Sequence, residues 1–257
     1  MKDLIEQRLN ELIPKQEGVL FEAAAYSLLA PAKRLRPLLL LAGCQAYSID
    51  PKRALDCACA LEMIHTYSLI HDDLPAMDDD DMRRGRPTLH KVYDEALAIL
   101  AGDFLLTYAF EVLVQAPSLT SEEKVALVRL LAKASGGHGM VGGQVLDLQQ
   151  DPNIERMHQQ KTAALFCFAL QSVAILNGGR DAHILETFGY TLGHLFQLLD
   201  DLLDHDSPEG EALAFKKACM LYTKCEELLS SLSVRAEALS KHLVQLGEKL
   251  TTLQPVC

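Results

Sequence analysis

Apolar residues recur at helical spacing through almost the whole of this chain, and no segment alternates as a half-buried strand must. That pattern restricts the fold to helices packed on helices. Leu4, Leu9, Leu12 and Ile13 mark an opening amphipathic helix that Pro14 ends. Helices are predicted over 20–30, over 36–47 with Pro37 in the first turn, and over 51–73. Another is predicted over 92–115, closed by "APS". Thr120 or Ser121 caps the next, with Glu122 and Glu123 in its first turn. Helices over 154–177 and 183–204 follow, "DSPEG" breaks the pattern, and two more fill 211–251. No Asn-Gly hairpin signal is present. The class is all-α, with about ten helices. No stretch reads as a linker, so residues 1–257 are expected to form a single domain.

Composition excludes several function classes. With 49% hydrophobic and 23% charged residues the chain is globular. Its formal net charge of -11 argues against a nucleic-acid partner, which needs a basic surface. Seven cysteines, Cys44, Cys57, Cys59, Cys167, Cys219, Cys225 and Cys257, form no C-x-x-C pair and sit mostly in apolar stretches. Buried, reduced thiols and a cytoplasmic location are expected. The start "MKDLIEQRLNEL" places charges where a secretory leader needs an apolar core. The run "AALFCFALQSVAIL", 163–176, falls short of the roughly 18 residues a membrane span needs, so no span is expected. "SGGHGMVGGQVLD", 135–147, lacks the lysine and hydroxyl of a phosphate loop; its glycines read as close helix packing.

Two acidic clusters carry the chemistry. In "SLIHDDLPAMDDDDMRRGRP", 68–87, Asp72 and Asp73 close a helix whose one face also holds Glu62, His65 and Ser68. Pro75 stops the helix, and the chain turns toward Asp78. In "LGHLFQLLDDLLDH", 192–205, Gln197, Asp200, Asp201 and Asp204 share one face of an otherwise apolar helix. Carboxylates on such a surface are costly unless cations compensate them. An all-oxygen donor set suits Mg²⁺, which keeps open positions for phosphate. Lys33, Arg34, Arg36, Arg83, Arg84, Arg86 and Lys161 supply cations for a diphosphate bound through Mg²⁺ and for a second anion bound directly.

With these motifs in order, the sequence resembles the trans-isoprenyl diphosphate synthases, and among them the bacterial farnesyl diphosphate synthases. "KRLRP", "HTYSLIHDDLPAMDDDDMRRGRPTLH", "GMVGGQVLDL", "KTAALF" and "FQLLDDLLD" carry the resemblance, over roughly residues 20–205. It implies antiparallel helices round a deep apolar cavity, a homodimer, and three Mg²⁺ ions held by two aspartate motifs that face each other. Asp72, Asp78 and Asp200 are then direct ligands, with Asp73, Asp201 and Asp204 assisting. Arg83 and Lys161 hold the allylic diphosphate; Lys33, Arg36, His65 and Arg84 hold isopentenyl diphosphate. Thr162, Gln144 and Gln197 line the reacting carbons. Tyr67, about 7–8 Å down the helix from Asp72 at 1.5 Å per residue, is the floor that limits the product to C15.

The sequence departs from the family in two places. Pro31 and Ala32 stand where glycines precede the first basic motif. After the second aspartate motif, "HDSPEGEALAFKKACM" is short and lacks the lysine- and glycine-containing loop of the family, leaving Lys216 and Lys217 as nearby lysines. Three other readings compete. A longer-chain (geranylgeranyl) synthase needs only a deeper floor. A metal phosphohydrolase, suggested by "HDD" and His65, needs several histidine ligands. A non-catalytic regulatory subunit of the same fold should have lost aspartates, and both clusters are intact.

Overall fold

The computed structural model describes residues 1–14 and 17–253. Among the described residues lie thirteen α-helices and one small hairpin, so the class is all-α as the spacing requires. Contacts divide the chain into two compact units: Met1–Leu38 with Lys52–Val128, and Leu39–Pro51 with the chain from Arg129 onward.

In the first unit a 3₁₀ turn, Pro51–Ala54, opens the central helix α4 (Leu55–Asp72). Cys57, Cys59, Ala60, Leu61, Met63 and Ile64 of α4 are all buried, the pattern of a helix covered on every side. α1 (Lys2–Leu12) is tied to it by Arg8 and Asp56, 2.7 Å apart. α2 (Val19–Leu28) and α6 (Glu95–Gln115) also pack on α4. Gly102 of α6 makes room for His71: a Cβ there would lie 2.1 Å from His71 Nε2. The helix expected over 92–115 is interrupted. A short α5 (Leu89–Val92) ends at Tyr93, and Asp94 restarts the chain as an N-cap, its Oδ1 accepting from the Leu97 amide at 2.7 Å. Aspartate stabilises a helix start better than a helix interior, and the spacing rule ignores that preference.

α6 is also long and apolar enough to cross a membrane, and among the described residues no other helix is. Ala98, Ala101, Leu105, Ala109 and Leu113 of α6 are buried within this unit, while Asp103 and Glu111 stand on its open face.

In the second unit α10 (Ala164–Leu176) packs on α11 (Ala182–Leu203), α11 on α12 (Glu211–Ser230), and α12 on α13 (Glu237–Thr252). The helix expected over 154–177 is α9 (Ile154–His158), a π-helical turn at Gln159–Ala163, and then α10. Glycines from two neighbours press on that turn. On α8 (Met140–Leu148), a Cβ at Gly143 would lie 2.1 Å from the Lys161 amide nitrogen. On α11, a Cβ at Gly193 would lie 2.5 Å from Ala163 Cα. The glycine-rich segment therefore serves close packing, as its composition suggested.

Smaller boundaries follow known end effects. α3 (Leu35–Ala46) starts ahead of Pro37, which still falls in the first turn. α7 (Ser121–Ser135) has the expected box: Thr120 Oγ1 accepts from the Glu123 amide at 3.3 Å, and Glu123 Oε2 from the Thr120 amide at 2.9 Å. Cys44, Cys57, Cys59, Cys167 and Cys225 are free and buried, and Cys219 is free and half-buried. Cys257 lies outside the described residues.

Candidate active site

The first aspartate motif is a loop held at several points. α4 stops at Asp72; the Met77 amide bonds to Leu74 O at 2.8 Å and the Asp78 amide to Asp72 O at 2.8 Å. The chain then forms a hairpin of β1 (Met82–Arg83) and β2 (Arg86–Pro87). Its turn residues Arg84 and Gly85 both have positive φ, 55° and 74°, the geometry of a primed two-residue turn. The sequence reading found no hairpin because Arg-Gly here replaces Asn-Gly. Thr88 Oγ1 donates to Asp80 O at 2.7 Å, Lys91 pairs with Asp81 at 2.7 Å, and Arg86 lies 4.1 Å over the Tyr26 ring. Arg83 bonds to Asp73 and reaches Asp80 at 2.9 Å. Burial pushes the Asp73 carboxyl up, and the Arg83 guanidinium opposes it. Asp72 is half-buried and Asp78 exposed.

Beside this loop lies a small open cleft within the first unit. Arg83, Arg84 and Asp73 line its polar side, and Ala30, Leu69 and Leu89 its apolar side. Thr66 also lines it; its hydroxyl is buried with no hydrogen-bond partner.

The residues expected to hold isopentenyl diphosphate split by position. Arg36 Nη1 lies 3.2 Å from His65 Nε2. Arginine only donates, so Nε2 accepts and the imidazole is neutral with its proton on Nδ1. Burial first, then the Arg36 and Arg84 charges, pull the His65 pKa well below its usual value, in agreement. Lys33 is exposed ahead of α3. Arg34, expected with its neighbours to supply a cation for an anionic ligand, is instead the buried member of the motif, paired inside the protein. Its guanidinium, 0% exposed, bonds to Glu62 at 2.7 Å, to both Glu6 oxygens at 3.0 and 3.1 Å, and to Leu28 O at 2.6 Å. Removing one partner of such a buried pair costs about 3–5 kcal/mol. Tyr67 is buried, its hydroxyl has no partner, and its ring meets His71 edge-on at 5.8 Å.

In the second unit Thr162 Oγ1 donates to Gln197 Oε1 at 2.5 Å, and Gln197 Nε2 donates to Asp201 Oδ1 at 2.7 Å. Lys161 pairs with Asp147. Gln144 Nε2 is buried with no hydrogen-bond partner. His158 Nε2 approaches Asp201 Oδ2 to 3.4 Å, outside hydrogen-bonding geometry, and Oδ2 is left without a partner. Burial, with His194 alongside, lowers the His158 pKa to about 4, so at neutral pH this contact is not an ion pair. Asp201 is pushed up to about 6, by burial first and then by Asp200, Asp206 and Asp204, with the Gln197 bond opposing. Asp204 is exposed at the end of α11.

Two residues here gave no sequence signal. Asp206 adds its charge to the Asp201 group from the following loop. Lys249 of α13 lies 3.4 Å from Asp200 Oδ1 and over the Phe196 ring. Only the packing of α13 brings Lys249 there. Lys217 of α12 instead pairs with Glu209 of the short connection before it.

Among the described residues no group of three or more His, Cys, Asp or Glu side chains closes into a metal cage. The donors still fit Mg²⁺, which binds through one or two carboxylates and leaves its other positions to water and phosphate. The partnerless, buried Oδ2 of Asp201 is the atom that most needs a cation.

Residues 17–220 match the family described as polyprenyl synthetase. The chain belongs to that family. It is 44% identical to the farnesyl diphosphate synthase of Geobacillus stearothermophilus over 220 residues, 81% of this chain and 74% of that protein. It is 46% identical to the chloroplastic geranylgeranyl pyrophosphate synthase of Capsicum annuum over 211 residues, 78% of this chain but 57% of that longer protein. An apo FPP/GFPP synthase of Zymomonas mobilis shares the fold with a TM-score of 0.88 at 37% identity, over 94% of this chain and 95% of that one.

Proposed function

We propose that this family member is a prenyltransferase that joins isopentenyl diphosphate to dimethylallyl or geranyl diphosphate, with farnesyl diphosphate as product. The observation that carries the reading is the bonded row Thr162–Gln197–Asp201. It links two motifs 35 residues apart and ends on a carboxylate short of a cation.

Asp72, Asp73 and Asp78 on the first unit, and Asp200, Asp201 and Asp204 on the second, would hold Mg²⁺. Bound Mg²⁺ supplies charge neutralisation to a departing diphosphate. Arg83 and Lys161 grip the allylic diphosphate and orient its C–O bond. Lys33, Arg36, Arg84 and the Nδ1–H of His65 hold isopentenyl diphosphate directly. The allylic C–O bond breaks, leaving an allylic cation and diphosphate. The isopentenyl double bond supplies the electron pair of the new C–C bond. A proton then leaves the adjacent carbon for the released diphosphate. Thr162 spends its proton on Gln197, so its oxygen lone pairs, with the amide dipoles of Gln144 and Gln197, stabilise positive charge on the reacting carbons. The apolar residues around them exclude water, which would quench the cation.

A longer product is the second reading, because identity to the geranylgeranyl synthase, 46%, is no lower than the 44% to the farnesyl synthase. Tyr67 favours C15. A homodimer is supported by the open face of α6, where Ile99, Leu100 and Val114 are 44%, 55% and 55% exposed. Six free thiols among the described residues fit a reducing cytoplasm. The test is Mg²⁺-dependent incorporation of labelled isopentenyl diphosphate with dimethylallyl, geranyl and farnesyl primers, followed by chromatography of the dephosphorylated products. Incorporation into C15 is expected; no incorporation with any primer overturns the activity.

A further inference from the structure

We infer that the buried pair Arg34–Glu62 is a positioning device for the isopentenyl diphosphate half of the reaction; this rests on the function proposed above. The observations concern one small row of side chains. Arg34 and Arg36 are two residues apart where α3 begins. Glu62 and His65 are three apart on α4 and therefore neighbours on one helix face. Arg34 Nη1 donates to Glu62 Oε1 at 2.7 Å, and Arg36 Nη1 donates to His65 Nε2 at 3.2 Å. The two contacts are rungs that join the start of α3 to one face of α4.

The rungs differ in kind. The Arg34–Glu62 rung is sealed, with side chains 0% and 2% exposed, so water does not compete for it. The Arg36–His65 rung is half-buried and faces the charge of Arg84. A diphosphate meets the second rung and never the first. Yet the first sets the register of the second, because Arg36 stands two residues from a guanidinium that cannot move. Arg34 also holds a left-handed backbone, φ 51°, uncommon for a residue with a side chain. That residue leads the chain into α3, and its bonds to Glu62, Glu6, Leu28 O and Ala30 O over-determine its conformation.

Glu62 has a second task. Its charge is felt at Arg84, where it opposes loss of the proton. Arg34, Arg36, Arg83 and Arg84 all act on His65, so the corner would repel itself in the absence of ligand. A carboxylate sealed behind the rung offsets that repulsion without competing for the diphosphate.

The experiment uses Glu62→Gln, Arg34→Lys and, for comparison, Glu6→Gln. Glu6 bonds to the same guanidinium from α1 but lies outside the row. Each variant is measured well below its melting midpoint, with KM for isopentenyl diphosphate, KM for the allylic primer and kcat determined separately. E62Q and R34K are expected to raise KM for isopentenyl diphosphate about tenfold or more, the scale of a small misplacement of binding groups. The allylic KM should stay within about twofold in those variants, and E6Q should lower the melting midpoint without the selective KM effect. Calorimetric titration of isopentenyl diphosphate into the same proteins should give the same order. Equal loss for both substrates, equal effects of E6Q and E62Q, or unchanged isopentenyl diphosphate affinity in folded E62Q would overturn the inference. Failure of the unmodified protein to bind isopentenyl diphosphate would instead overturn the function on which it rests.

Discussion

The two aspartate motifs manage their charge in opposite ways. Around Asp73 the loop brings its own cation: Arg83, ten residues on, bonds to the carboxylate, and Lys91 covers Asp81. Around Asp201 the bonded partner is the Gln197 amide, the near imidazole is neutral, and burial, with Asp200, Asp206 and Asp204 adding to it, raises the carboxyl to about 6. A self-neutralised loop is stable without ligand and needs only to be in place. A carboxylate short of charge destabilises the ligand-free protein and gains most when a cation arrives. The first motif is built for position, the second for affinity.

The sharpest break of that contrast is Asp201→Asn against Asp73→Asn. D201N should lower kcat by about a thousandfold, the scale of losing a preorganised electrostatic group. It should nonetheless leave the ligand-free protein as stable as before or more so, because it replaces a carboxylate that burial disfavours. D73N should lower activity, with only a small fall in melting midpoint, since Arg83 loses its bond to Asp73 but keeps the one to Asp80. The sign follows from linkage. An acid whose folded pKa is raised destabilises the fold above that pKa, and the penalty is relieved as pH falls through about 6 toward the unfolded value near 3.8. The stability difference between D201N and the unmodified protein should therefore shrink between pH 7 and pH 5 in denaturant titrations with EDTA. A constant difference would remove the basis for calling this carboxylate strained.

Gly143→Ala tests whether the second motif depends on the π turn. Its Cβ would fall 2.1 Å from the Lys161 amide nitrogen, and the contact is backbone, which cannot swing away. Displacing Lys161 and Thr162 by about 1 Å should cost on the order of a hundredfold in kcat. Circular dichroism should still report a helical protein. Activity within twofold of the unmodified enzyme would mean that Thr162 and Gln197 tolerate misplacement.

Lys249→Met is a smaller effect on the same region. If Lys249 serves as a counter-ion to Asp200 that also meets the diphosphate, K249M should weaken Mg²⁺–pyrophosphate binding about threefold to tenfold, and K249R should restore it. Tighter binding in K249M, seen by calorimetry, would show the lysine to be only a competitor of the metal.

Much of this was legible in the sequence, and the gaps share a cause. The helices, the box at Thr120, the stop at Asp72 and the packing use of Gly143 all follow from local rules. So does the shared face of Gln197 and Asp201. The breaks at Tyr93 and Gln159–Ala163 were not legible. A 3.6-residue period continues across a restart or a widened turn, and only the neighbouring Gly143 and Gly193 show why the turn widens. The pairings of Arg34 and Lys249 were hidden for another reason. Their partners Glu62 and Asp200 are set by packing, not by spacing along one element.

Tyr67 gives the finest test of the first unit, because the change expected on truncating it is in the product and not in the rate. The ring is buried one turn and more below Asp72, edge-on to His71, and its hydroxyl makes no bond. A phenol with an unsatisfied hydroxyl is a poor choice for stability alone, since phenylalanine would fill the same space without that cost. Tyr67→Phe should therefore be as stable or slightly more so and still form C15. Tyr67→Ala leaves the space of a ring, so the chain should lengthen by at least one isoprene unit while kcat for the first condensation changes little. If Y67A still stops at C15, the floor lies elsewhere. His71 is then the next residue to truncate, because it meets the Tyr67 ring edge-on and is wedged against Gly102 and Ile99 O.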